Sequence, residues 1–474
     1  MTVSIAKRTE DSITLQVVVK FNRSMLDSEH AIQDALNEAG TVATGELLKQ
    51  FDTDGSDLVM GSVRMTSMGL VPKYYQTPYG EVEIERHLYQ TSKGGQTFCP
   101  LEREARIILT STPRFASQVS HKMAGTAATH VIDDLAVNHH RQVSKNVVQR
   151  LSEAVSAVVQ MKEESWSYHV PDIKEAAVKT VSIGLDGTCM LMCEGSYRQA
   201  MVGTIALYDS EGERLHTTYV AAAPEYGKEK FKERLTREIE RTNELYPAAL
   251  KIGIADGAHD NWDFLEQHTT KQTLDFYHAT EYLTDVADSV FASPIERKAW
   301  LNDRCHQLKH TSGAANLLLI EMEGFRLEEV STHLPPSLVL INNSAEITES
   351  NDGVVPTENN ILAEAENELS IKDVKKKREQ KKKSLEAAIT YFQNNIEKSR
   401  MNYSESVAAN HPIGSGITEA ACKTIVKQRL CQSGMRWKDK GAGVILSLRA
   451  LVHSTGRWEQ FWKKVNQYGF PVAA

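Results

Sequence analysis

The stretch Val181-Ser182-Ile183-Gly184-Leu185-Asp186-Gly187 decides how the rest of the chain is read. Val181, Ile183 and Leu185 alternate with small or polar residues, the period-two pattern of a strand, and Asp-Gly is a dipeptide that ends one. Residues 197–208 and 214–220 read as two more strands about the turn Asp209-Ser210-Glu211-Gly212. Phe231, Leu235 and Ile239 recur at spacing four, opposite many Lys, Glu and Arg, which predicts an amphipathic helix. Leu250, Ile252 and Ile254 make a fourth strand that also ends on Asp-Gly, at Asp256-Gly257. A fifth, over 272–276, carries Asp275, with His278 just beyond. The order β-β-β-α-β predicts an α/β fold with a mixed sheet, antiparallel hairpins first and then a strand added by a crossover.

Functional residues of α/β sheets gather at strand ends. If the first and fourth strands are neighbours, Asp186 and Asp256 converge, and two hard oxygen ligands at one point suit Mg²⁺. A third acid would complete a two-metal site able to activate water or a 3′ hydroxyl at a phosphodiester. Asp-Gly is also an ordinary turn dipeptide, so one such strand end is weak evidence and two are more. Glu419 is the candidate third acid, in the first turn of a helix expected after Gly414-Ser415-Gly416, with Ser415 or Thr418 as its cap. Ala420 and Ala421 would let that helix approach a sheet closely. Spacing alone equally allows a surface ladder of Glu419, Lys423 and Lys427.

Upstream, residues 26–52 read as helix and 73–100 as a β-ribbon punctuated by Tyr79-Gly80 and Gly94-Gly95. Residues 101–165 read as helices: Phe115, Val119 and Met123, then Ala127, Val131 and Leu135, a break at 137–139, then Val143, Val147 and Leu151. Two short helices about a tight turn suit a helix-turn-helix presenting Arg141, Gln142, Lys145 and Gln149 to DNA, although any helical hairpin shares the pattern. Residues 279–342 and 371–410 read as largely helical.

The 474 residues hold 62 acids and 54 bases, a net charge of −8, unevenly spread. At ~150 residues per domain the length allows two to four domains. Residues 343–370 contain seven acids and no base, the composition of a disordered loop or insertion. Residues 371–400 hold ten bases against four acids, and 419–464 ten against three, so net acidity does not exclude a polyanionic partner. No apolar run is long enough for a membrane span, and the start lacks the apolar core of a signal peptide, so a cytoplasmic protein is expected. The six cysteines are too sparse for a disulfide framework and are expected to be free thiols. Cys305, His306 and His310 could share a helical face, though a solvated helix explains them as well.

Asp186, Asp256 and Glu419, with Leu274-Asp275-Phe276-Tyr277-His278 between the second and third, resemble the DDE transposases of bacterial insertion sequences, specifically the ISKra group within the Mutator-like assemblage. The Asp275–His278 block resembles that assemblage's D-x-x-H signature. The block from Gly414 to Lys423, continuing through Arg429-Leu430 and Ser433-Gly434-Met435-Arg436-Trp437, resembles the segment that carries the family's Glu. The resemblance covers about residues 80–465. It implies an RNase H-like catalytic core interrupted by a mainly helical insertion between the second Asp and the Glu. The acids lie 70 and 163 residues apart, and the longer interval exceeds a single crossover.

The implied organisation is an N-terminal helix and ribbon region (1–100), a helical DNA-binding region (101–170), the first part of the core (171–290), the insertion (291–410) and the C-terminal helices of the core (411–474). The implied metal ligands are Asp186, Asp256 and Glu419, holding two Mg²⁺ for which Mn²⁺ can substitute. Asp275 and His278 either join the catalytic set, His278 contacting the scissile phosphate or orienting a ligand, or form a buried structural pair. Arg141, Lys145, Lys423, Lys427, Arg429, Arg436 and Trp437 are the expected DNA contacts, Arg436 and Trp437 by stacking on an unpaired base unless Trp437 belongs to the core. Relatives can carry a zinc module near the start; Cys99 stands alone here, so no zinc is expected. The implied function is cleavage and strand transfer at terminal inverted repeats, with target DNA as second partner, at the nucleoid, by a homodimer or larger assembly. A nuclease without strand transfer and a domesticated DNA-binding regulator are the alternatives.

Overall fold

The computed structural model describes residues 3–162, 165–170, 173–224, 227–331 and 358–470, with backbone alone at 328–331 and 358–375. The described residues begin with a hairpin, β1 (Val3–Arg8) and β2 (Ile13–Val17), that was not among the expected elements. Helix α1 (Met25–Lys49) follows, capped by the Ser24 hydroxyl, which accepts from the Asp27 N–H. The ribbon starts earlier than expected: β3 (Leu58–Met60), β4 (Val63–Gln76) and β5 (Glu81–Thr91) form a three-stranded antiparallel sheet. β4 runs on through an irregularity between Ser67 and Leu70, where its register with β5 shifts.

Four helices come next: α2 (Pro100–Glu104), α3 (Pro113–Gly125), α4 (Ala128–His139) and α5 (Lys145–Lys162). Phe115, Val119, Met123, Val131 and Leu135 are buried as their spacing requires. In α5 the buried row is Val148, Leu151 and Val155, one position on from Val147, because the α4–α5 turn closes at His140 in the left-handed region.

The main sheet is five-stranded, ordered β10-β9-β6-β7-β8. Strands β6 (Thr180–Leu191), β7 (Tyr197–Tyr208) and β8 (Arg214–Ala222) form an antiparallel meander. Helix α6 (Gly227–Leu245) crosses to β9 (Leu250–Ala255), parallel to β6; α7 (His259–His268) then leads to β10 (Lys271–Leu274), parallel to β9. The fold is therefore mixed α/β. One expected boundary moves: β6 does not stop at Asp186-Gly187 but runs on to Leu191, because β7 keeps pairing with it after β9 has left the ladder at Gly184.

Beyond the sheet come α8 (Phe276–Val290), α9 (Pro294–His310), α10 (Ala314–Ser331), α11 (Glu358–Glu397) and α12 (Tyr403–Ala408). Of the acidic stretch expected to be disordered, residues 343–357 lie outside the described residues, and 358–370 are helical as the first part of α11. The final segment is α13 (Gly416–Ala421), a π-helical stretch (Cys422–Lys427), α14 (Gln428–Leu430), α15 (Asp439–His453) and α16 (Arg457–Tyr468).

Both faces of the main sheet are covered. On one, Ile183, Leu185 and Ile205 pack with Phe231, Leu235 and Leu265 and, further out, with α8–α11. On the other, Ala200, Val202 and Ala221 pack with Cys422, Ile425 and Val426 and with α3, α5 and α15. The helices of 101–162 thus share a core with the C-terminal helices. No described helix is long and apolar enough to cross a membrane, and all six cysteines are free.

Candidate active site

The strand register brings the acids together. β6 pairs with β9 from Thr180↔Leu250 to Gly184↔Ile254, an offset of 70 at every rung. β10 pairs with β9 from Lys271↔Ile252 to Leu274↔Ala255, an offset of 19. Carried on by one or two residues, these offsets put Asp186, Asp256 and Asp275 at one level across three neighbouring strands, which lie ~4.8 Å apart. The Asp275 N–H still donates to the Ala255 carbonyl, at 2.9 Å. Leu185, Ala255 and Leu274 all enter one core. The residue after each therefore turns to the opposite face, where α13 lies.

Each carboxylate is held by its own neighbours. Asp186 accepts the Gly187 N–H at 2.6 Å and the Cys422 thiol at 3.4 Å. Burial and the adjacent Asp186 carboxylate push that thiol far above its ordinary range. Asp256 accepts the Ala258 N–H at 3.3 Å, and its own carbonyl accepts the Tyr391 hydroxyl at 2.6 Å. His278 Nε2 stands 4.0 Å from Asp256 Oδ2, while its Nδ1 is 3.0 Å from Glu281. Burial pulls the imidazole pKa down, but the Glu281 bond and the nearby carboxylates lift it above its ordinary value. Asp275 is fully buried; one oxygen caps α8 through the Tyr277 N–H at 3.0 Å, and the other meets the Ser415 hydroxyl at 2.6 Å.

Glu419 is drawn to the same hydroxyl, 2.7 Å from Oε1. Ser415 therefore does not cap α13 with its side chain, as the sequence suggested; it links Asp275 to Glu419. A hydroxyl has one proton to donate, so Ser415 can donate to only one of these two carboxylates at a time. The Ser415 bond lowers the Glu419 pKa, and burial with the Asp275 carboxylate raises it further, for a net rise.

An open cleft of ≈ 820 Å³ is lined by Asp186, Thr188, Glu419, Cys422, Lys423 and Lys427, while Asp256 and Asp275 lie outside its lining. Among the described residues, no three His, Cys, Asp or Glu side chains close round one point as a ready metal cage; Glu419 faces Ser415 and Asp275. The donors nonetheless fit a hard divalent cation: all are carboxylates, and Asp186 and Asp256 are half-exposed, which leaves room for the waters such an ion retains.

The expected DNA contacts divide. Lys423, Lys427, Lys145 and Arg436 are exposed. Arg141 is 6% exposed, and its guanidinium donates to the Thr77 carbonyl and to Gln76 Oε1, fastening the ribbon sheet to α4. Arg429 is 2% exposed and donates to the Met123 carbonyl; burial lowers its pKa to about 10. Neither is presented to a phosphate. Trp437 is half-buried against the second core, its indole N–H donating to the Leu430 carbonyl at 2.8 Å and its ring 5.4 Å from Arg429, so its role here is packing.

Sequence reasoning gave no role to Cys422, Tyr277 or Tyr391 and misjudged Ser415. Cys422 lies three residues after Glu419, on one helical face with it, which the sequence could have revealed. Tyr391, 135 residues from Asp256, gave no such signal. No protein-family model and no curated protein sequence matches the chain.

Proposed function

We propose that the protein is a DDE-type DNA transposase with an RNase H-like catalytic core. The observation that carries this reading is the common level of Asp186, Asp256 and Asp275 beneath the helix bearing Glu419. The sheet supports it too: a meander of three antiparallel strands with two parallel strands added beside the first is the order expected of such a core. The helices α9–α11 fall between the second and third acids, as the insertion should.

Asp186, Asp256 and Glu419 would hold two Mg²⁺, with Mn²⁺ able to substitute. Bound there, the ions would lower the pKa of the attacking hydroxyl and stabilise the leaving oxygen. Lys423 and Lys427 neutralise phosphate charge and hold the strand along the cleft. Ser415 and Asp275 fix the orientation of Glu419, and His278 contacts the scissile phosphate or orients Asp256. Water attacks a phosphodiester at the element end; the P–O3′ bond breaks and the 3′ oxygen leaves as a hydroxyl. That hydroxyl then attacks a target phosphate and displaces another 3′ oxygen, so no protein–DNA bond forms. Two ends require two such sites, hence a dimer or larger assembly on terminal inverted repeats.

The test is Asp186→Asn and Asp256→Asn in a donor-cleavage assay with Mg²⁺. DNA binding survives and cleavage disappears. Full cleavage by either variant, or none by the wild type, overturns the reading. Adding a target duplex separates a transposase from a nuclease that only cuts: strand-transfer products appear in the first case.

A further inference from the structure

We infer that Tyr277 is the platform on which an unpaired base stacks beside the reacting phosphate, an inference that rests on the DNA reading above. The ring is 66% exposed, yet it is not loose. Its backbone N–H is fixed on the Asp275 carboxylate at 3.0 Å. Its edge meets Phe276 at 6.1 Å between centroids and 74°, and Phe276 is itself wedged edge-on against buried Tyr403. On one side the ring lies against the loop that leads into α13, where a Cβ added to Gly414 would sit 3.4 Å from Tyr277 Cε2. The next residue, His278, places its Nε2 4.0 Å from Asp256. The ring is thus anchored at the junction of the elements carrying Asp256, Asp275 and Glu419, with the rest of its surface open.

The neighbouring rings are already occupied. Tyr282 and Tyr391 stack on each other at 3.9 Å, Tyr403 is buried, and Trp437 is committed to the second core. An exposed ring held this rigidly loses little entropy on stacking. Every nucleobase has a π-face, so the contact tolerates any sequence. A base inside a duplex has both faces covered by its neighbours. Tyr277 therefore selects DNA that is frayed, or opens easily, next to the cut.

The probe is a forked duplex carrying one 2-aminopurine in its unpaired arm, bound in the Asp186→Asn background so that no cleavage intervenes. With Tyr277 present the fluorescence is quenched on binding. Tyr277→Ala weakens binding of the fork roughly 5- to 150-fold and abolishes the quench, whereas Tyr277→Phe and Tyr277→Trp keep both. Replacing the probed base by an abasic site brings Tyr277→Ala and its parent to equal affinity. If Tyr277→Ala binds the fork as tightly as its parent, or its penalty persists on abasic DNA, the inference is wrong while the transposase reading stands. A wild type that neither binds nor cuts DNA overturns both.

Discussion

Thr204 on β7 and Thr418 on α13 share a hydrogen bond of 2.7 Å between side-chain oxygens, both buried, across 214 residues of sequence. This bond seats the helix that carries Glu419 directly on the sheet. The approach is close enough that a Cβ on Gly184 would run into Thr418 Oγ1, with Thr204 Oγ1 at 3.3 Å. Gly184 is thus required by space rather than by backbone conformation. Gly184→Ala should lift α13, cost about 1–3 kcal/mol of stability and reduce cleavage more than DNA binding. Thr418→Ala in the same chain removes the clashing oxygen and should recover part of the melting temperature. If Gly184→Ala melts and cleaves like the wild type, α13 does not sit where described.

Ser415 gives the second prediction. Its hydroxyl is 2.6 Å from Asp275 and 2.7 Å from Glu419. Removing it leaves the fully buried Asp275 oxygen without that donor. Ser415→Ala should cost about 1–3 kcal/mol in urea unfolding. Asp275→Asn in addition should return much of that loss, since an amide in place of the carboxylate can donate to Glu419. Cleavage should fall in the single variant because Glu419 loses its orienting partner. Equal stability of the wild type and Ser415→Ala would show that the linkage contributes nothing.

The sheet was legible because its strands are apolar and punctuated: Val181, Ile183, Leu185 and the two Asp-Gly steps carry a local signal. The exact end of β6 was not, since pairing with β7 is a tertiary matter and overrides an Asp-Gly that would otherwise stop a strand. Asp186 and Asp256 could be named from position, whereas Glu419 needed the resemblance, because a surface ladder with Lys423 and Lys427 reads identically. Arg141 and Arg429 show the opposite error, and Trp437 takes the core alternative that the sequence left open. A cation or indole in a basic segment looks like a DNA contact, and only packing reveals that its polar atoms serve the backbone of another element. The hairpin β1–β2 was missed although Ile13, Leu15 and Val17 alternate with Thr14 and Gln16; its burial is slight, so few core contacts mark it.

His216 on β8 sets a pH dependence of stability. Burial, and then the charge of Arg457, pull its pKa from 6.5 to about 4. The folded pKa is the lower one, so the unfolded chain binds the proton first. Stability is full above pH 6.5 and declines as pH falls through about 4. In His216→Gln this part of the acid loss should vanish, read as a flatter midpoint-versus-pH curve between those limits. A wild-type curve already flat over that window would contradict the burial of a neutral imidazole.

The segment after Asp256 separates strain from hydrogen bonding. Gly257 has φ +115°, a conformation L side chains rarely adopt, and an added Cβ would stand 2.8 Å from Tyr391 Cε2. Tyr391 is stacked on Tyr282 and donates to the Asp256 carbonyl at 2.6 Å. Tyr391→Phe keeps the stack and loses only that bond, so it should cost about 1 kcal/mol with modest change in cleavage. Gly257→Ala meets both the strained backbone and the ring, and should cost more, of order 1–3 kcal/mol. It should also displace Asp256, so its cleavage rate should fall well below that of Tyr391→Phe while DNA binding holds. Should Tyr391→Phe prove the more damaging of the two, the hydroxyl would have a role in the chemistry itself, and Asp256 would be positioned by that bond rather than by the turn.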